Sequence, residues 1–269
     1  MGMQVNANTP ALGVQQQVGA AAHRLIQGFQ RLATGLRINR AADDASGLAI
    51  SERLREDIRQ YTAEVNNLQT GVNVTQMADE ALGTQQEGLQ RVRELAVQAA
   101  NGTLTAEQRN ALNAEAQQIL GQIQETANNT EFNGTQLLNG SATNIPIGTE
   151  GGMRVTINES TTASLGVNGV NLTTQEGAAA AVEALDTALA RIDQNRAGVG
   201  AQRNRFERAI ANREMAIENA QASESRIRDL DYARQTIEQN RNAMLLQGGV
   251  AMLAQANLQN RNVARLLGA

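Results

Sequence analysis

From Leu185 to Ile227, apolar positions recur in alternating steps of four and three. The run is Leu185, Leu189, Ile192, Arg196, Val199, Arg203, Phe206, Ile210, Arg213, Ile217, Ala220, Glu224 and Ile227, and nine of its thirteen positions are apolar. A strict heptad keeps one stripe against a partner helix and implies a left-handed supercoil. A matching run lies near the other end, at Leu54, Ile58, Tyr61, Val65, Leu68 and Val72. Two complementary seams so far apart predict a chain that folds back and pairs them.

Val18, Ala22, Leu25, Phe29, Leu32 and Leu36 repeat the same spacing in a first amphipathic helix, which should stop near Thr34-Gly35. Residues 37–47 read as a connector, with Asp43 or Asp44 able to cap the next helix. That helix is expected from about residue 45 to Ala100, roughly 80 Å at 1.5 Å per residue. Its seam slips between Thr75 and Asp79, then resumes through Leu82, Gln85, Leu89, Val92, Ala96 and Ala99. Asn101-Gly102 offers a left-handed stop.

Thr105-Ala106-Glu107-Gln108 has the form of a capping box and opens a helix ending near Asn128-Asn129. Asn133-Gly134 and Asn139-Gly140 are turn signals. Ile145, Ile147, Val155 and Ile157 alternate around Gly148 and Gly151-Gly152, which predicts a small β-hairpin. Thr173 to Glu176 offers a second capping box before the long heptad helix. A last amphipathic region carries Ile237, Met244, Leu245, Val250, Leu253, Val263, Leu266 and Leu267, with Gly248-Gly249 interrupting it. The predicted fold class is mainly α: an elongated antiparallel helical bundle or coiled coil with a small β-hairpin region. The terminal helices form a second coiled-coil domain.

Composition sharpens this picture. Aromatic residues make up only 2% of the 269, and there are two prolines. Buried surface should therefore be spread thinly along helices instead of gathered in one thick core. The net charge of −4, without a basic stripe, argues against nucleic-acid binding. All 23 positive charges are Arg. There is no cysteine, so disulfides and thiolate metal sites are excluded. The start of the chain has neither the charged nor the apolar region of a cleaved secretory signal, and no run approaches the length of a membrane span.

Catalytic chemistry is equally sparse. His23 is the one histidine, which rules out HExxH and leaves a helix-surface role. No GxxxxGK[ST] loop exists, because there is no lysine. Gly166, Gly169 and the Gly148–Gly152 cluster read as turn glycines. Ser160, Thr161 and Thr162 read as hydroxyls of a solvated surface loop, open to glycosylation. No catalytic residue, cofactor or metal ligand is expected, which leaves assembly as the main function.

Several motifs carry a family resemblance. Residues 32–51, LATGLRINRAADDASGLAIS, closely resemble the signature near the amino terminus of bacterial flagellins. Leu89 to Gln98, Glu131-Phe132-Asn133-Gly134, Ser225 to Asp229, and Leu253 to Asn257 followed by Leu266-Leu267 resemble later motifs of that family, in the same order. The resemblance implies a filament subunit of the short form, without the variable outer domains. Residues 1–44 and 229–269 would be the two halves of an inner, filament-core helical domain. Residues 45–140 and 177–228 would be the outgoing and returning helices of a rod domain, with residues 141–176 as the small β-hairpin region.

The resemblance also implies partners. The chain would polymerise with itself in a helical homopolymer that is exported by the flagellar type III apparatus and is extracellular. A secretion chaperone would bind the carboxy terminus, and filament-cap and hook-junction proteins would meet the filament ends. Neither nucleic acid nor membrane insertion is implied. Subunit assembly would use Val18, Leu25, Phe29, Leu32, Leu36, Ile237, Leu253, Leu266 and Leu267. In some flagellins a patch corresponding to Arg91, Leu95 and Glu115 is bound by Toll-like receptor 5. The alternatives are a hook–filament junction protein, which shares flagellin-like ends, and a secreted coiled-coil binding protein that does not assemble.

A subunit with different donor and acceptor faces builds open helical filaments. The narrow stripes at residues 14–36 and 237–267 are poorly satisfied in a lone subunit, and the termini are expected to order on assembly. Hydrogen-exchange protection of residues 1–40 should rise sharply from monomer to filament; equal protection in both states contradicts this.

Overall fold

The fold is that of a computed structural model, which describes residues 8–141, 144–147 and 153–266; for residues 10, 260 and 263–266 only the backbone is described. In chain order the elements are α1 (Thr9–Thr34), α2 (Ala45–Ala99), α3 (Ala106–Asn129), β1 (Glu131–Phe132), β2 (Thr135–Gln136), β3 (Ile145–Pro146), β4 (Arg154–Val155), α4 (Thr162–Leu165), α5 (Gln175–Arg228) and α6 (Tyr232–Leu266). They form two units. One contains the residues up to Ile58 and from Glu218 onward; the other is Arg59–Ile217. The border therefore falls inside α2 and α5, further along each helix than the connectors at residues 44 and 229.

The central unit, Arg59–Ile217, holds a single apolar core. Leu82, Leu89, Val92, Leu95 and Ala96 of α2 meet Ala116, Leu120 and Ile123 of α3 and Leu185, Ala188 and Ile192 of α5. The heptad seam of α5 is buried at Leu185, Ile192, Val199 and Phe206. Of its polar positions in this unit, Arg196 and Arg213 pair across to α2, while Arg203 pairs with Glu207 on its own helix. Arg196 bonds Asp79 at 2.8 Å, and Arg213 meets Glu64 at 2.6 Å while stacking 5.1 Å from the Tyr61 ring. Within this unit Arg93 also pairs with Asp186 at 2.5 Å. Falling α2 numbers against rising α5 numbers make the pairing antiparallel. The guanidinium fork suits such seam positions, since its aliphatic stem packs while its head pairs.

Residues 156–174 contribute more core than their pattern suggests. Ile157, Leu165, Val167, Val170 and Leu172 are all buried. Side-chain amides of the helices hold this irregular stretch. Gln117 donates to the Val170 carbonyl (2.7 Å), Asn113 accepts from the Leu172 amide (2.9 Å), and Gln202 brackets Thr156 at 2.8 and 2.7 Å. Gln85, fully buried in α2, donates to the carbonyls of Ile123 and Ser160 at 3.2 Å. Backbone groups of a buried loop need partners, and here the abundant Gln and Asn provide them.

Several expected boundaries hold. Gly35 ends α1 in the left-handed conformation, φ 71°. Thr105 and Gln108 complete both halves of a capping box. Asn133 and Gly134, at φ 50° and 77°, form a two-residue hairpin turn between β1 and β2. The expected hairpin at 145–157 is present as β3 and β4, antiparallel with Ile145 opposite Val155; its glycines at 148 and 151–152 lie outside the described residues. At the start of α2 the helix cap is Asp44, whose Oδ1 accepts from the Gly47 amide (2.9 Å) and the Ser46 hydroxyl (2.8 Å). Those bonds hold its carboxyl below its ordinary value.

Other expectations need correction. Gly102 is not a left-handed cap. The Arg109 guanidinium takes that role, donating to the carbonyls of Ala99 (2.9 Å) and Asn101 (3.0 Å). The box at Thr173–Glu176 does not form. Thr174 caps α5 by accepting from Gly177 (3.0 Å), so the residue that would reach back has no side chain. A Cβ there would sit 2.7 Å from the Asn171 carbonyl oxygen. Gly248-Gly249 does not break α6, which runs through both. Ser160 and Thr161 are buried, and Thr161 caps α4, so this segment is not a solvated loop.

Leu89→Ala should destabilise the central unit by about 2–5 kcal/mol, since a fully buried leucine leaves a cavity. Urea denaturation followed by far-UV circular dichroism checks this.

Candidate assembly face and charged patch

In the unit containing both termini, α1 and α6 run antiparallel. Three side-chain bonds to backbone set their register. Asn8 donates to the Ala256 carbonyl (3.3 Å), Gln239 to Leu25 (3.2 Å) and the Tyr232 hydroxyl to Leu32 (3.3 Å). At the connector end, the segments 35–37 and 228–230 join as a short bridge. Arg37 N–H donates to Arg228 O (2.7 Å), Leu230 N–H to Gly35 O (3.0 Å), and the Arg37 guanidinium to Ile227 O (2.6 Å). Ion pairs Arg55–Glu224 (2.7 Å) and Arg228–Glu52 (2.8 Å) tie the α2 start to the α5 end in this unit.

The fully buried positions of this pair are small or polar, with Val18, Leu25, Leu32 and Leu253 half-buried around them. Among the described residues, Ala11, Ala21, Gly28, Gln235 and Gln239 are the buried positions of the two helices. A Cβ on Gly28 would meet the Gln239 Oε1 at 2.0 Å, and one on Gly249 would meet Val18 Cγ2 at 2.4 Å. Glycine at these two points lets the helices approach closely. A buried amide in a helix pair favours one register at some expense of stability.

Many large apolar side chains are instead left exposed. Fourteen large hydrophobic residues are exposed among the described residues, and eleven belong to this unit. Leu12, Ile26 and Phe29 stand out from α1; Ile237, Met244, Leu245, Met252 and Leu258 stand out from α6. Phe29 is 62% exposed and Ile237 69%. An apolar surface so concentrated marks an interaction face. Of the residues expected to serve assembly, Val18, Leu25, Leu32, Leu36 and Leu253 are half-buried within the unit, while Phe29 and Ile237 are free to meet a neighbour. The Leu266 side chain and Leu267 lie outside the described residues. Met244, Met252 and Leu258 are exposed on α6 as well. Their signal was present in the sequence, since α6 has apolar residues on two sides, but one stripe cannot account for both.

The charged patch is only partly as expected. The exposed Arg91 guanidinium on α2 donates to Glu115 of α3 (2.9 and 3.3 Å) and to Glu94 (3.1 Å). Glu115, then Glu94, hold Arg91 above its ordinary pKa. Leu95, however, is 2% exposed and belongs to the core. At 3.6 residues per turn it sits about 40° from Arg91, enough to cross from the rim of the buried stripe into it. His23 is exposed on α1, and no cluster of potential metal ligands occurs among the described residues.

A helical subunit that buries one unit and leaves the terminal helix pair apolar outside belongs to the self-assembling structural proteins. Comparison with known proteins gives the family. Residues 5–143 match the bacterial flagellin N-terminal helical region and residues 182–267 the bacterial flagellin C-terminal helical region. Flagellin FlaB1 of Treponema pallidum (strain Nichols) is 37% identical over 285 residues, covering 98% of this chain and all of that protein. The flagellin of Halalkalibacterium halodurans is 37% identical over 271 residues, with the same coverage. The crystal structure of Bacillus cereus flagellin is 33% identical with a TM-score of 0.50, covering 55% of this chain and 88% of that one. A putative flagellar hook-associated protein from Vibrio parahaemolyticus shares the fold at 15% identity, TM-score 0.60, over 69% of this chain and 99% of that one. The chain belongs to the bacterial flagellin family. It is a short member, in which only residues 144–181 separate the two matched regions. It is a structural subunit of the extracellular flagellar filament and not an enzyme.

Proposed function

We propose that the outer faces of α1 and α6 are the surfaces through which this flagellin polymerises to build a filament for motility. The observation that carries this is the uneven burial of the terminal pair: its fully buried positions are small or polar, while its most exposed ones include large apolar side chains. Phe29 and Ile237 are its most direct contacts. Val18, Leu25, Leu32, Leu36 and Leu253 act mainly by shaping the pair, and Leu266 and Leu267 are assigned to assembly from the sequence alone. The same exposed α6 needs cover before export, which suits a secretion chaperone on the carboxy-terminal helix. Cap and hook-junction proteins would meet these faces at the filament ends. Full-length similarity to flagellins favours the filament subunit over a hook–filament junction protein.

A receptor role rests on a separate surface. Arg91 and Glu115 are exposed and linked, so a contact by Toll-like receptor 5 would engage that ion pair, with Leu95 supporting α2 from beneath.

Two outcomes are expected. Phe29→Asp combined with Ile237→Asp should leave monomer helicity unchanged but raise the critical concentration for seeded polymerisation at least tenfold. Each lost apolar burial is worth about 1.5–3 kcal/mol. Sedimentation and electron microscopy measure this, and normal polymerisation rejects the assigned face. Arg91→Ala should lower receptor activation in a reporter assay at least tenfold with unchanged circular dichroism; unaltered activation removes the receptor reading.

A further inference from the structure

The chain has no cysteine, so methionine is its only sulfur. Of the described methionines, Met244 and Met252 are the most exposed, at 70% and 61%. Met215 is 54% exposed and Met77 38%, both in the central unit, while Met153 is half-buried against its core. Met244 and Met252 stand on either side of Gly248-Gly249 in α6. They border a hollow of about 380 Å³ between α1 and α6, with Val14, Val18 and Leu245 among its other walls. The surrounding face is apolar, with Ile237 and Leu258 on the same helix.

We propose that Met244 and Met252 are a peroxide-oxidation site that controls polymerisation. This rests on the reading that the α6 outer face enters the filament. The thioether sulfur attacks one peroxide oxygen, the O–O bond breaks and an S–O bond forms. After proton transfer the other oxygen leaves as water. The sulfur is oxidised by two electrons and the peroxide is reduced by two. The product is a methionine sulfoxide, polar and chiral where an apolar chain stood. Its oxygen is a strong acceptor; Gln17 and Arg24 also line the hollow, but where the apolar face of a neighbouring subunit covers the sulfoxide its oxygen loses water without a partner, and that burial is unfavourable. The unassembled chain is therefore the vulnerable form. Once polymerised, the same contacts shield both sulfurs. A methionine sulfoxide reductase would reverse the block.

The test uses full-length monomer treated with hydrogen peroxide, quenched with free methionine and added to short seeds of its own filament. Peptide mass spectrometry reads each methionine, and sedimentation reads growth. Met244 and Met252 should oxidise ahead of Met153, and the critical concentration of treated monomer should rise about tenfold. Reductase treatment should restore growth. In Met244→Leu/Met252→Leu, a nearly volume-conserving change with similar helix propensity, peroxide should leave the critical concentration at whatever value the same variant shows untreated. Met77→Leu/Met215→Leu should give no protection. Intact filaments should show slower oxidation at Met244 and Met252 than monomer does. Treated monomer that grows as well as untreated overturns the proposal, as does a Met244→Leu/Met252→Leu variant that is equally inhibited. Failure of the filament-face reading looks different: the Phe29→Asp/Ile237→Asp variant then grows normally on seeds without any peroxide.

Discussion

Burial of large apolar side chains is satisfied in one unit of this flagellin and left incomplete in the other. In the central unit, Leu82, Leu89, Leu95, Leu138, Ile157, Leu172, Leu185 and Ile192 are all buried. In the unit that contains both termini, the buried apolar residues among those described are Ala11, Ala21, Ile38 and Ala220. A helix pair that closes on alanine, glycine and glutamine gains little from its own contact. Its apolar area remains available to a neighbour, and removing that area from water is the main favourable term in association.

Different devices provide specificity in the two units. In the central unit, apolar heptad positions supply packing and Arg196 and Arg213 set the partner, through Asp79 and Glu64. In the other unit the register depends on Asn8, Gln239 and Tyr232 bonding to backbone, and on Gly28 and Gly249 admitting the opposite helix. Side-chain amides and small residues fix position without covering the outer surface. The exposure of Met244 and Met252 in the single chain follows from the same sparse contact.

Much of this was legible along the chain. Helix limits at Thr34, Ala45 and Asn129, the cap at Thr105 and the turn at Asn133-Gly134 follow from local backbone preferences, which neighbouring residues determine. The heptad partners of α2 and α5 could likewise be read from spacing. Flagellin motifs in order indicated the family before any geometry. Less legible was the 156–174 segment, because Ile157, Val167, Val170 and Leu172 show no sustained period. Their burial depends on amides of α3 and α5 that lie far away in sequence.

The sequence alone determined the helices, their turns and the seam that returns the chain on itself, since periodicity and capping are local properties. Tertiary structure decided which side of each helix is inside. It turned Leu95 into core beside an exposed Arg91, replaced Gly102 with Arg109 as the cap of α2, and carried α6 through Gly248-Gly249. It also set the small and polar side of the terminal pair inward. A helix with apolar residues on two sides can present either, and the side left exposed here follows from how α1 and α6 pack, with glycine at 28 and 249 leaving room for Gln239 and Val18.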